Sequence, residues 1–472
     1  MIRPRALLVG AITAFAAGFS ALGILRHDAF STGRFDLGNM VQAVWSTAHG
    51  HPLQVTSLSG EQVSRLGVHF DPILVAFAPL WWLWPHPSLL VVVQATALAL
   101  GALPVFWLGL RHLGSERLAL ALALAYLLAP PTQWLALNAF HPAALATPLL
   151  LLAFFYLDED RLVPFAIAAA AACTTKEEIP LVVAGMGLWY ALSRKRWRAG
   201  LAIAAAGTAI AVLAISVVVP HFAPSGRSPF LGRYDAVGGS PAGIVHTAVT
   251  HPGRIATATG SAADGRYAGD LLIPFGFVSL LSPLALLTAL PEVAANTLSA
   301  TRTQTSIHFH YTAGAIPGIV VAAVLGAAWL VRRRPGAEGW LPSALVVLAV
   351  IVNVRLGPNP VWARIPGGQS FGAHESDVTA HARTAARALR LVPAAAVVSA
   401  TNSLGAHLSA RRRVLSFPRL AGATWVAADE TRPGYLDRVA PLATATALRS
   451  LRANPRWRLV FEEDGVLVFR RL

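Results

Sequence analysis

Ionisable and polar groups interrupt the apolar sequence at a few places. Asp36 lies in "RFDLGNMVQAVW", and His69 and Asp71 in "HFDP". Asn138 and His141 lie in "LNAFHP", and Lys176, Glu177 and Glu178 in "TTKEE". Arg302, His308, His310 and Tyr311 lie in "TRTQTSIHFHYT". A carboxylate such as Asp36 can take the proton of a hydroxyl. Lys176, Arg302 and His308 can stabilise negative charge growing on a leaving group. His308 and His310 are two residues apart and point to opposite sides of an extended chain, so a divalent metal needs further ligands such as Asp36, Asp71 or Glu177. Each group also has a purely structural reading. Asp36 precedes a helical stripe, Leu37, Met40, Val41, Val44, Trp45 and Ala48, where an N-cap belongs, and Gly50 and Pro52 end it. Asp71 precedes Pro72 and is biased to extended geometry. His69 and His141 can serve as hydrogen-bonding residues of the membrane interface, and Lys176–Glu178 as a turn.

The elements that must position these groups are set by composition. The 472-residue chain is 55% hydrophobic and 13% charged, where soluble domains average about 25% charged. Its mean hydropathy is +0.56. Apolar runs recur from Ala6 to about Leu356, the pattern of a many-span α-helical membrane protein. The net charge of +15 does not indicate nucleic acid, because the Arg residues cluster in short loops between apolar runs, as cytoplasmic loops do. The single cysteine, Cys173, excludes an intrachain disulfide.

Arg3, Arg5, "RHLGSER", "SRKRWR" and "VRRRP" set an inside N-terminus and about eleven spans. Residues 26–87 form the first external loop, with an amphipathic helix after Asp36 and a partly embedded helix at "ILVAFAPLWWLW". His221–Tyr267 reads as a long external loop, and about Asp270–Thr297 as a hairpin bent near Ser282-Pro283. Under this topology all five polar stretches face outward. Ionisable groups at membrane-segment ends are functional candidates. The polytopic part is 1–356, and 357–472 is a small extracytoplasmic α/β domain. In it, strands at "AAAVVSAT", "RVLSFP" and "ATWVAAD" alternate with helices, and a final hairpin turns at Asp464-Gly465.

The stretches "FDLGNMVQAVWSTAHGHPL", "HFDPILVAFAPLWWLWPHPSLL", "NAFHPAALATPLLLLAFFY", "TKEEIPL", "HFHYTAGAIPGI" and "SATNSLGAHLSARRRVLSFP" resemble a bacterial membrane-protein family, domain of unknown function 2079. That family in turn resembles the GT-C glycosyltransferases. The resemblance implies a many-span bundle in the bacterial cytoplasmic membrane and a polyprenyl-phosphate-linked sugar as donor substrate. It also implies an acidic residue in the first external loop, at Asp36, as general base. Asp36 is followed by Leu37, not by a second acid. His69, Asp71, His141, Lys176, Glu177, Glu178, Arg302, His308, His310 and Tyr311 are the expected substrate-binding residues. The acceptor is a glycan, a lipid or a protein. A transporter or lipid flippase, and a non-catalytic cell-envelope scaffold, are the other functions these features allow.

Overall fold

A computed structural model describes residues 3–434, 436–439 and 441–472. Among the described residues, five helices are long and apolar enough to cross a membrane: Pro4–Asp28, Ser88–Leu113, Trp197–Phe222, Ala315–Arg333 and Ala337–Leu356. Glu116–Leu128 and Pro130–Leu137 make a sixth when taken together, bent by 46°. The bend follows from Pro130, which forces the preceding Ala129 into extended geometry (ψ 122°). Pro142–Asp158, Leu162–Cys173 and Ile179–Arg194 are apolar but shorter. Leu162–Cys173 has 12 residues, about 18 Å at 1.5 Å per residue, against about 30 Å of hydrocarbon. Five or six spans by length therefore stand where the apolar runs suggest about eleven.

Two regions differ from their sequence reading in detail. The stretch after His221 contains a 3-10 turn, Leu231–Val237, and the helices Pro241–Thr250 and Pro252–Thr259. Its Ser and Pro residues start helices. The Ser240 hydroxyl accepts from the Gly243 amide, and Pro241 occupies the first helical turn. The apolar region of about Asp270–Thr297 is a chain of short helices and turns. It reverses through Gly276 at φ 59° and breaks again at Ser282-Pro283.

Among the described residues, seven short strands complete the fold. β1 (Gln54–Thr56) and β2 (Gln62–Ser64) form a hairpin in the first loop. β3 (Val398–Ala400), β4 (Val414–Ser416), β5 (Trp425–Asp429), β6 (Trp457–Glu463) and β7 (Val466–Arg471) form one sheet in the order β4-β3-β5-β7-β6. β3 runs parallel to β4 and β5, and the remaining pairs are antiparallel. The β6–β7 turn uses Asp464 and Gly465 at φ 51° and 76°, the left-handed pair a two-residue hairpin needs.

The sheet region is locked to the first loop by buried polar contacts. The Arg34 guanidinium donates to the Val414 carbonyl (3.1 and 2.6 Å), the Ser416 hydroxyl (2.7 Å) and the Thr56 carbonyl (2.7 Å). The Gln42 amide donates to the Thr56 hydroxyl at 2.9 Å and to the carbonyls of Arg411 and Arg412. Gly38 lies against the helix Asn402–His407. A Cβ there would stand 3.1 Å from the Ala406 Cα and would also meet the Ser409 hydroxyl. Overpacking of this kind costs about 1–3 kcal/mol. Gly38→Ala is therefore expected to lower the melting temperature and to raise hydrogen exchange in 402–409; unchanged exchange there would refute this seam.

Candidate active site

Asp36 does not cap a helix. Residues Arg34–Gly38 form a π-helical turn that runs directly into the helix Asn39–Ala48. Asp36 is the third residue of that turn, and its own amide bonds to the Gly33 carbonyl at 3.2 Å. The reason is tertiary. Arg34 and Gly38 are pinned to the sheet region on either side of Asp36, so the helix starts earlier and wider than the hydrophobic stripe indicates. π-turns of this kind concentrate at functional sites. Freed from capping, the Asp36 carboxylate makes no hydrogen bond among the described residues and is 55% exposed within a concavity.

That concavity is a cavity of about 370 Å³. Phe35, Asp36, Asn39 and Met40 form one wall, and the first-loop residues Arg65, His69 and Asp71 another. His141, Lys176, His310 and Tyr311 close a third side, and Phe230 and Arg233 enter from the segment after His221. Leu58 and Leu436 form the rim towards the sheet. Loops distant in sequence thus meet at one place.

The cavity's charges fall into an ordered set. His69 Nδ1 lies 2.8 Å from Glu177 Oε1, while the Phe70 amide donates to Glu177 Oε2 at 2.9 Å. Burial alone would raise the Glu177 pKa, but His69, Lys176 and the Phe70 amide outweigh it and hold the carboxyl down at about 2. Asp71 is buried and bound by Arg65 through Nε and Nη2, both at 2.9 Å. Burial nevertheless pushes its pKa up. Lys176 is buried, pairs with Glu178 and lies 5.2 Å from the centre of the Tyr311 ring. Desolvation opposes its charge, but Glu178, Glu292 and Glu177 raise its pKa, so it stays an ammonium.

Two histidines are held neutral. His141 and His310 stack with centroids 3.8 Å apart. Burial lowers the His141 pKa to about 3 and pushes His310 well below the ordinary imidazole value. His141 Nδ1 faces the Asn138 carbonyl at 2.8 Å, so Nδ1 carries the proton and Nε2 is an acceptor. That Nε2 lies 3.9 Å from Asp36 Oδ1. The two acceptors cannot bond each other, and a hydroxyl proton placed between them satisfies either. The carboxylate is reachable from the cavity, but the surrounding walls hold it away from bulk water, and this desolvation, partly offset by Arg65, raises the Asp36 pKa to about 6.

The structure brings together Asp36, His69, Asp71, His141, Lys176, His310 and Tyr311 on this cavity. Glu177 and Glu178 line a smaller cavity of about 100 Å³ that shares His69, Lys176, Phe230 and Arg233 with it. Arg302 and His308 stand apart. Arg302 is exposed in a 3-10 turn, and the His308 ring packs on Trp134 and Phe371. Reading the sequence missed Arg65, Phe230 and Arg233. Phe230 stacks on His69 with centroids 4.5 Å apart, and Arg233 lies over the Phe230 ring at 4.3 Å. Arg65, four residues before His69 in a polar stretch, carried a local signal; Phe230 and Arg233, in a Gly- and Pro-rich segment, carried none. Among the described residues, no three His, Cys, Asp or Glu side chains converge as a metal-binding group.

A search of curated proteins finds no match. The fold is similar to a solved structure, ArnT from Cupriavidus metallidurans in the apo state, with a TM-score of 0.51 and 16% identity over 98% of each chain. At this identity the likeness shows the fold alone. A family model described as "Predicted membrane protein (DUF2079)" matches residues 26–468. With nearly the whole length matched, the chain belongs to that family of membrane proteins.

Proposed function

We propose that this protein is an inverting glycosyltransferase that moves a sugar from a polyprenyl-phosphate donor to an extracytoplasmic acceptor. The observation that carries this reading is Asp36: a carboxylate without a protein hydrogen bond among the described residues, on the wall of a cavity also lined by Lys176 and Arg233. In the reaction the acceptor hydroxyl oxygen attacks the anomeric carbon. Its proton passes to Asp36, and the bond from that carbon to the phosphate oxygen breaks. The electron pair leaves with the lipid phosphate, whose negative charge must be met by fixed cations. Arg233 has no carboxylate partner among the described residues, and Lys176 keeps its charge, so these two replace Arg302 and His308 as the groups for the leaving phosphate. His141 Nε2, unable to donate, directs the hydroxyl proton towards Asp36. His69, Asp71, Glu177, Glu178, His310 and Tyr311 hold the sugar or the groups around it.

The acceptor reaches this site from the sheet domain, 357–472. A second cavity, of about 690 Å³, lies at the carboxyl ends of β3 and β4, lined by Asn402, Ser416 and Phe417, and shares Leu58 and Leu436 with the first. Ligands of open α/β sheets bind at such strand ends. The topology that goes with this reading counts the shorter apolar helices and the broken region of about Asp270–Thr297 as membrane-embedded. That gives about eleven spans, with the N-terminus inside and the sheet domain outside. Transfer that stops with chelator would add a divalent metal to this site.

The experiment incubates the purified protein with polyprenyl-phosphate sugars and cell-envelope acceptors, with and without chelator. Transfer of sugar with inversion is the expected result. Accumulation of substrate inside proteoliposomes with no glycosylated product would replace this reading by a transporter.

A further inference from the structure

The helices Ala146–Asp158, Ile179–Arg194 and Ala315–Arg333 all begin beside the Asp36 cavity and end together at the opposite end of the bundle. There they enclose a second, separate cleft of about 360 Å³. Asp158 at its base is 1% exposed and fully engaged. Arg111 Nε donates to its carboxylate at 2.8 Å and His112 Nε2 at 2.9 Å, and Arg194 donates to its backbone carbonyl at 2.8 Å. Glu159 and Asp160 share these arginines, Arg111–Glu159 at 3.6 Å and Arg194–Asp160 at 3.9 Å, so the charges at the base of the cleft are paired among themselves.

The remaining polar groups of the cleft are donors without acceptors. Arg332 lines it and has no hydrogen-bond or ion-pair partner among the described residues. Trp189 is only 4% exposed, yet its indole N–H has no partner among the described residues. The Ser193 hydroxyl, also at the cleft, is likewise without one. Arg332 and Ser193 are exposed to the cleft, and the Trp189 ring forms part of its wall, so these donors are open to a ligand entering it. The other side of the cleft is apolar, with Leu281 and Leu284 38% and 40% exposed. Trp329 stands 40% exposed at the edge, the position aromatic side chains take at the membrane interface.

Cationic and neutral donors on one side, with exposed Leu residues beside them at a membrane-helix end, match an anionic amphiphile. We infer that this cleft is a binding site for an anionic phospholipid. Arg332, Ser193 and the Trp189 indole bind the phosphate, and the first acyl carbons lie on Leu281 and Leu284. Basic pockets between membrane helices bind anionic head groups by this logic. A free phosphate would leave the apolar side uncovered. The site is independent of the sugar chemistry proposed above, since it shares no lining residue with the Asp36 cavity.

The test is native mass spectrometry of the full chain in detergent, titrated with phosphatidylglycerol, phosphatidylcholine or inorganic phosphate. Preferential retention of phosphatidylglycerol is expected. Each interfacial cation is worth about 1 kcal/mol, so Arg332→Gln is expected to weaken that retention about five-fold. Trp189→Phe, which keeps the ring and removes the N–H, is expected to weaken it as well. Arg334→Gln, a change in the same basic run but outside the cleft, is expected to leave it unchanged. Equal retention of phosphatidylcholine, equal losses in Arg332→Gln and Arg334→Gln, or displacement of the lipid by inorganic phosphate would each overturn the assignment.

Discussion

Asp36→Asn is expected to lower the rate of sugar transfer by about 10²- to 10⁴-fold, the range a general base contributes. Stability should hardly change, because the carboxylate makes no protein hydrogen bond among the described residues and Asn is nearly the same size. The wild-type enzyme also carries a pH signature. With its pKa raised to about 6 by desolvation, Asp36 is the active, ionised base above that pH. Below it the base fills with protons, so kcat/KM should fall about ten-fold for each further pH unit. His141, with a pKa of about 3, stays neutral throughout this window and adds no second limb. The measurement is a pH-rate profile of sugar transfer from pH 4.5 to 8, on protein checked for folding at each pH. Full activity in Asp36→Asn, or an acid limb that persists in it, would remove Asp36 from the mechanism. Loss of binding with unchanged turnover at saturation would make it a substrate ligand instead.

How much of this was legible in the sequence depends on the range of the interactions involved. The elements of the sheet domain could be read directly, because strand alternation and the Asp464-Gly465 turn are local signals. Counting apolar segments between basic loops led to the expectation that Asp36, His69, His141, Lys176 and His310 face one side, and the structure brings them together on one cavity. The conformation at Asp36 did not follow. A π-turn needs one extra residue per turn, and here it is imposed by contacts from Arg34 and Gly38 to residues more than 360 positions away. Periodicity within "FDLGNMVQAVW" carries no trace of them. Arg233 was hidden for a different reason. It lies in a segment whose Gly, Pro and Ser content reads as loop, and its place beside His69 depends on the stacking of Phe230. Arg302 and His308 show the converse: the right residue types in the right loop, turned away from the cavity by local geometry.

The same long-range contacts make Arg34 the second test of the site. Arg34 is buried, has no carboxylate partner, and is solvated instead by two carbonyls and a hydroxyl. Burial lowers its pKa to about 10, so it remains a cation at neutral pH. Arg34→Met keeps most of the volume and removes every donor. Leaving buried acceptors unpaired costs about 1–3 kcal/mol each, against which the relief of a desolvated charge is set. The net change in stability is therefore modest compared with the geometric effect. Asp36 sits two residues away on the same π-turn, and a displacement of about 1 Å at a catalytic group costs about 10² in rate. Arg34→Met is expected to lose about that much activity while still folding. Because the cavity wall loosens, desolvation of Asp36 weakens and its acid limb should move below pH 6. A purely structural role would lower the melting temperature and leave the limb in place. Arg34→Lys should not rescue the defect, since one ammonium cannot reproduce the planar fork that reaches Thr56, Val414 and Ser416 at once. Wild-type rate and an unmoved limb in Arg34→Met would show that the sheet domain docks on the first loop without setting the position of Asp36.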